Sequence, residues 1–169
     1  VSVSEVAERF HSRLNASGKC YHYQVWNSPV PNVFLRNFAL EVCEPLHIEA
    51  MQKAASYLLG EHDFKSFCST RTQVENTVRR VTEITFSQDG NMITMTIKGY
   101  GFLYNMVRII TGTLVEVGLG QRTEDSVAET IASMDRANAG HTAPPQGLYL
   151  YKVFYDEKEM TLEPSESAE

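Results

Sequence analysis

The chain has 169 residues, of which 43% are hydrophobic and 21% are charged, and its formal net charge at neutral pH is -6. This length and apolar content predict one globular domain with a substantial core. No charge-free apolar run is long enough for a membrane span and the first residues lack a signal-peptide pattern, so we expect a soluble, cytoplasmic protein.

The negative charge is concentrated at the C-terminus. Six acidic residues and one lysine lie from Asp156 onward, so this segment carries five of the six net negative charges. We expect residues 1–155 to form the folded domain and residues 156–169 to be a disordered acidic tail. A nearly neutral domain can still present a basic cleft, because the position of the charges decides phosphate contact.

Three cysteines, Cys20, Cys43 and Cys68, are widely separated and form no C-x-x-C pair. This spacing predicts reduced thiols rather than a disulfide framework. A metal site built on Cys20 and His22 would need two more ligands that the neighbouring sequence lacks, so we expect no metal.

The first predicted element is a strand at Lys19–Asn27, where Tyr21, Tyr23 and Val25 share one face. Ser28–Pro31 ends it, because proline cannot donate to a sheet ladder.

A helix is predicted next, at His47–Leu59, followed by a loop over residues 62–67. Alternation resumes at Asn76–Ser87, and Asp89–Asn91 has the Asp-Gly sequence of a hairpin turn. Met92–Lys98 is the predicted antiparallel partner strand.

The last elements are an apolar helix at Phe102–Val117, an amphipathic helix at Glu124–Met134 with Thr123 as its N-cap, and a strand at Leu148–Tyr155. Strands and helices do not alternate as parallel crossover units do. The sequence therefore predicts an α+β fold in which a mainly antiparallel sheet carries its helices on one face.

The apolar helix at Phe102–Val117 contains an arginine, Arg108, within a narrow polar stripe that also holds Asn105 and Thr111. A guanidinium keeps its charge, so near a core it must reach water or an anion. One interpretation is a structural ion pair or a side chain that reaches the surface. The other is an arginine directed at a catalytic carboxylate or a phosphate.

Four segments carry a resemblance: FHSRLNASGKCYHYQVWN at Phe10–Asn27, GEHDFKSF at Gly60–Phe67, GFLYNMVRIITGTLVEVG at Gly101–Gly118 and AGHTAPPQGLYLYKVFY at Ala139–Tyr155. In this order they resemble the TruA family of tRNA pseudouridine synthases, of bacterial type. The resemblance implies a cofactor-free isomerisation of uridine to pseudouridine. It covers nearly the whole chain except the tail.

The family's essential aspartate belongs to an Arg-Thr-Asp motif that this sequence lacks, since Arg71-Thr72 is followed by Gln73. The resemblance therefore implies the C-terminal half of such an enzyme, with the catalytic N-terminal half absent. The start at Val1 rather than at methionine agrees with this expectation. We expect such a fragment to be inactive alone.

The same resemblance assigns three site residues. Arg108 matches the arginine that pairs with the catalytic aspartate, Tyr21 matches the active-site tyrosine against the target base, and Leu148 matches an apolar residue that covers the base. Without the family, Tyr21 would be interpreted as a core or cross-strand aromatic and Leu148 as an ordinary strand residue. Strand alternation alone does not distinguish Tyr21 from Tyr23.

Basic residues are the candidates for contact with RNA phosphates, although for each of them a solvated surface charge is the favoured interpretation. The candidates are Arg13, Lys19, Arg71, Arg79, Arg80 and Lys98. Arg79 and Arg80 are adjacent on a strand, so only one of them can face a cleft. No carboxylate at convincing spacing is seen for His22, His62 or His141.

The partners that the resemblance implies are the 3' side of the tRNA anticodon stem-loop, the absent N-terminal half and a second copy in a homodimer, for which Tyr100, Phe102 and the hairpin are candidate contacts. An alternative is a non-catalytic binding or dimerisation module that uses an exposed apolar surface. A small-molecule enzyme on an unrelated α+β domain has no motif in its favour.

Overall fold

Six strands and three helices make up the computed structural model, which describes residues 3, 5–70, 74–156 and 158. The strands are β1 (Gly18–Asn27), β2 (Leu40–Val42), β3 (Gly60–Asp63), β4 (Val78–Asp89), β5 (Met92–Gly99) and β6 (Leu148–Phe154). The helices are α1 (Ile48–Ser56), α2 (Met106–Gly118) and α3 (Ser126–Ser133). Within these residues, every helix is too short or too polar to cross a bilayer. Arg71 and most of the acidic tail, including residue 157 and residues 159–169, lie outside the described residues.

The strands form one sheet in the order β2-β1-β5-β4-β3, with β6 paired to β1. All pairs are antiparallel except β1 with β2, where Val25 lies opposite Leu40. Strand β5 occupies one edge of β1, so β6 and β2 share the other edge, β6 along its first half and β2 along its end. The predicted α+β class with a mainly antiparallel sheet is confirmed.

The helices cover one face of this sheet. In β5, Ile93, Met95 and Ile97 are buried and belong to the main core, whereas the residues between them are partly exposed. Nearly all of α2 is buried in the same core. Among the described residues, the buried apolar cluster of the opposite face is small and consists of Cys20 and Phe154 with Tyr100 against it. This distribution is the one that strand alternation produces when a single face is covered.

Strand β6 contains one extra residue relative to β1. Tyr21 lies opposite Leu150 and Cys20 lies opposite Lys152, so Tyr151 is the additional residue of a β-bulge. Because of the bulge, residues before and after Tyr151 that would otherwise share a face of the sheet point to opposite faces. Leu148, at the start of β6, packs on the main core, whereas Phe154, at its end, packs on the opposite face.

The hairpin prediction is confirmed, with Asp89 opposite Met92 and Gly90 at a φ of 57°. Two other predictions were wrong. The loop over residues 62–67 contains the end of strand β3, which pairs with β4, and one 3-10 turn. Thr123 does not cap α3, which starts at Ser126 without a side-chain cap.

The apolar helix starts later than predicted, at Met106. Phe102 and Leu103 continue the apolar pattern without being helical, because they pack on the core from the segment before α2. Thr111 is not part of a polar stripe either. It is buried, and its hydroxyl donates to the carbonyl oxygen of Val107 at 2.8 Å.

Candidate active site

A cleft of about 530 Å³ opens beside the first turn of α2. It is lined by five of the residues predicted for the site, namely Arg13, Tyr21, Arg79, Arg108 and Leu148. None of the described lining residues is acidic, and three of them are arginines. The described lining is therefore positively charged and suits an anionic ligand.

Arg108 enters this cleft from α2 and is only half-buried. Its Nε-H donates to the carbonyl oxygen of Ala143 at 2.6 Å, and its Nη1 donates to Oδ1 of Asn105 at 3.0 Å. In the described part of the chain it has no carboxylate partner. The structural ion pair considered from the sequence is absent there, and the positive charge stays available to the cleft.

The two tyrosines that the sequence could not distinguish have different surroundings. Tyr23 is fully buried, and its hydroxyl donates to the carbonyl oxygen of Pro144 at 2.6 Å. Tyr21 lines the cleft with its ring edge-on to Phe102, 5.3 Å between centroids. Burial raises the pKa of both hydroxyls, so Tyr21 stays protonated at neutral pH.

Leu148 and Phe102 supply apolar surface to the same cleft. Leu148 is the first residue of β6 and follows Gly147, where a Cβ would approach the carbonyl oxygen of Gln24 to 2.7 Å. The close approach that glycine permits brings the start of β6 against β1. Phe102 lies against Tyr21, and its predicted part in a dimer contact stays a prediction.

The basic residues divide between the cleft and other surfaces. Arg79 lines the cleft, whereas its neighbour Arg80 lies over the Tyr100 ring at 5.5 Å from the centroid, as their opposite strand directions predict. Lys98 is not in the cleft. It points to the face opposite the helices and forms an ion pair with Glu83 at 2.9 Å.

Lys19 lies on β1 opposite Gly99 and does not line the cleft either. Contact of Lys19 or Lys98 with RNA stays a prediction that this geometry does not favour.

The segment 139–144, which supplies the carbonyl acceptors of Arg108 and Tyr23, is docked along α2 by hydrogen bonds. The Gly140 N-H donates to Oγ1 of Thr113 at 2.9 Å, and the Ala143 N-H donates to the Arg108 carbonyl oxygen at 3.1 Å. Arg108 and Ala143 therefore bind each other in both directions, through one backbone and one side-chain donor.

Glu116 anchors the same segment at His141, between these two hydrogen bonds. It accepts from the His141 N-H at 2.8 Å, contacts His141 Nδ1 at 2.9 Å and accepts from Arg122 Nε at 2.5 Å. The expectation that His141 lacks a carboxylate partner was wrong, because the two residues are distant in sequence. The sequence did contain a signal for this contact, because Glu116 is a second charged residue, after Arg108, in the otherwise apolar helix α2.

Replacing Glu116 by glutamine should weaken the fold in a pH-dependent way. Burial alone would raise the pKa of Glu116, but hydrogen bonds from His141 and Arg122 outweigh it and lower the pKa. Because the folded-state pKa is the lower one, this stabilisation is complete above the unfolded pKa and is lost as pH falls through the folded value. We expect a loss of about 1–2 kcal/mol near pH 7 that shrinks below about pH 4.

Urea unfolding at a series of pH values measures this effect, with Glu129→Gln on the exposed side of α3 as the control for charge alone. A difference between wild type and Glu116→Gln that is constant with pH would contradict the assignment.

Comparison with known proteins identifies the family. The family model described as tRNA pseudouridine synthase matches residues 54–156. The chain is 50% identical over 158 residues to tRNA pseudouridine synthase A of Lysinibacillus sphaericus, covering 92% of this chain and 63% of the relative. It is 49% identical over 154 residues to the protein of that name from Brevibacillus brevis, covering 91% and 63%.

The chain thus spans just under two thirds of the length of these curated relatives. The family match extends from α1 through the whole of β6 and includes Arg108, Arg79 and Leu148, and the alignments with the relatives cover about nine tenths of the chain. The chain belongs to the tRNA pseudouridine synthase family.

Proposed function

We propose that the polypeptide carrying this domain isomerises uridine to pseudouridine in tRNA, on the 3' side of the anticodon stem-loop. The observation that carries the proposal is the meeting of Arg108, Tyr21 and Leu148 in one cleft from three separate elements. The family to which the chain belongs supports the same reaction.

The reaction breaks the bond between C1' and N1 of uridine, turns the uracil and joins C5 to C1', while the proton on C5 is released and N1 gains one. No electrons enter or leave. The nucleotide must leave its stack for this to happen, because the glycosidic bond of a stacked nucleotide is hard to reach. In the proposed complex, the apolar surface of Leu148 and Phe102 would replace part of the lost stacking.

Arg108 would act on an anionic group. A positive charge beside a carboxylate lowers the pKa of that carboxylate and fixes its position, which suits a nucleophile or base that must be ionised. The described residues lining the cleft include no acid, so we propose that the carboxylate comes from outside them, on the part of the enzyme that the relatives have and this chain does not match. On this proposal the present chain forms no pseudouridine by itself.

Arg13 and Arg79 would contact phosphates at the rim of the cleft. Such contacts contribute affinity without sequence preference and weaken with salt. We further propose that the enzyme works in the cytoplasm as a homodimer without a cofactor.

The test is release of tritium from tRNA labelled at C5 of uridine, because forming the new bond expels the hydrogen at that position. The polypeptide of the relatives' full length should release tritium and produce pseudouridine. Absence of both in the presence of total tRNA would overturn the proposed function. Turnover by residues 1–169 alone would instead overturn the division of the site between two parts.

Two tyrosine variants separate the roles within β1. Tyr21→Phe should reduce turnover because it removes the hydroxyl from the cleft, and it should leave stability nearly unchanged since no acceptor among the described residues loses a donor. Tyr23→Phe should lower the free energy of unfolding by about 1–2 kcal/mol, because the Pro144 carbonyl oxygen loses its donor. Steady-state kinetics and urea unfolding of both variants would expose a wrong assignment if the two effects were exchanged.

A further inference from the structure

Arg108 is held in the cleft by neutral acceptors. One is the backbone carbonyl oxygen of Ala143 and the other is the side-chain oxygen of Asn105. A guanidinium has only donors, so the amide oxygen rather than the amide nitrogen must face it. A carboxylate in this position would hold the side chain equally well, but it would also cancel its charge.

Asn105 has an unusual backbone for the residue that begins a helix. Its φ is 61° and its ψ is 6°, in the left-handed region, and its side chain caps no N-H of α2. A helix-starting asparagine normally has extended backbone and accepts a hydrogen bond from the N-H groups of the first turn. Here the side chain serves Arg108 instead. The left-handed conformation is costly for most residues, but asparagine is among the few that tolerate it.

We propose that Asn105 is a positioning residue for Arg108, and that its neutrality is the functional property. It orients the guanidinium toward the cleft while leaving the positive charge free for an anionic group that enters. This inference rests on the proposed function in so far as the anion is the carboxylate or phosphate of the reaction. A carboxylate at position 105 would keep the hydrogen bond and supply a competing counter-ion.

A purely structural role would make Asn105 only a residue that tolerates positive φ. Glycine adopts this conformation more readily than asparagine, so Asn105→Gly keeps the start of α2 and removes only the side-chain acceptor. Asn105→Asp retains the size and the acceptor and changes only the charge. The two variants therefore separate orientation from neutrality.

Kinetics of the full-length enzyme are the first measurement. Each variant should lower kcat about tenfold or more while KM for tRNA changes about twofold or less, because Arg108 acts on the reacting group rather than on tRNA binding. The control is Asn37→Asp, which adds the same charge on an exposed loop away from the cleft and should leave kcat unchanged. Wild-type kcat in Asn105→Asp would overturn the neutrality argument, and wild-type kcat in Asn105→Gly would overturn positioning.

Side-chain NMR of Arg108 gives a readout that does not depend on turnover. The Nη1-H signal, whose proton Asn105 accepts, should stay ordered in wild type and in Asn105→Asp and become mobile in Asn105→Gly. Titration of residues 1–169, which on the proposed function lack the competing carboxylate, with acetate as a carboxylate probe should shift this signal in wild type with an apparent Kd at least about threefold lower than in Asn105→Asp.

The kinetic and NMR measurements test the proposed function and the role of Asn105 independently. An enzyme without pseudouridine formation would overturn the proposed function, whereas the NMR pattern would still decide the role of Asn105. Equal order of Arg108 in all three proteins, or equal acetate affinity in wild type and Asn105→Asp, would overturn the inference even with full activity.

Discussion

Arg108→Leu in the full-length enzyme is expected to reduce turnover by about two to three orders of magnitude while the protein still folds. The substitution removes the guanidinium of Arg108, which is the one charged group that the described part of α2 contributes to the cleft. Folding should survive because leucine suits the apolar surroundings and the Ala143 N-H still donates to the backbone of residue 108. The Ala143 carbonyl oxygen loses its side-chain donor, which should cost about 1 kcal/mol.

Arg108→Lys is the matched variant for geometry. It keeps the charge but lacks the planar fork that contacts Ala143 and Asn105 at the same time. We expect turnover between that of wild type and that of Arg108→Leu. Arg36→Leu, an exposed arginine in the loop before β2, is the control and should have wild-type kinetics.

Pseudouridine formation and urea unfolding, measured on the same preparations, distinguish the two effects. Full activity of Arg108→Leu would show that the positive charge of Arg108 has no part in the reaction.

Gly112→Ala is expected to destabilise the protein strongly, although it adds only one methyl group. A Cβ at this position would overlap the carbonyl oxygen of His141, which belongs to the segment docked on the helix. Backbone cannot rotate aside as a side chain can, so segment 139–144 must lift from α2. We expect the free energy of unfolding to fall by about 3 kcal/mol.

Helix propensity alone predicts the opposite sign, because alanine is favoured over glycine inside a helix by about 1 kcal/mol. Gly120→Ala is the control, since a Cβ there meets nothing within 4 Å and only the φ of 69° opposes it. That substitution should cost about 1 kcal/mol. Denaturant unfolding of the two variants measures the difference, and a Gly112→Ala protein more stable than wild type would rule out the tight contact.

Local sequence signals were sufficient for most elements of this fold. The hairpin between β4 and β5 follows from Asp-Gly between two alternating runs, and β1 follows from its own alternation. Strand β3 was missed because its four residues carry no alternation of their own, and their place in the sheet depends on β4. The start of α2 was missed because apolar residues before a helix can pack on the same core as those within it.

The site depended on information of longer range. Tyr21 and Tyr23 have the same strand parity, and they are distinguished by tertiary contacts, those of Tyr23 with Pro144 and of Tyr21 with Phe102. Pairing of His141 with Glu116 and of Arg108 with Ala143 likewise joins residues far apart in the chain. Residue patterns identified Arg108 as an anomaly, and the family resemblance identified its companions. Neither indicated that the side chain of Asn105, the residue that precedes α2, accepts from the guanidinium of Arg108 instead of capping the helix.

The extra residue Tyr151 also implies that β6 cannot be lengthened or shortened without cost. A deletion or insertion inside β6 would exchange the two sides of the strand and move either Leu148 or Phe154 away from its apolar neighbours. A shift by two positions would preserve the sides but carry Leu148 out of the cleft. We therefore expect insertions and deletions to be tolerated in the turns outside this strand rather than within it.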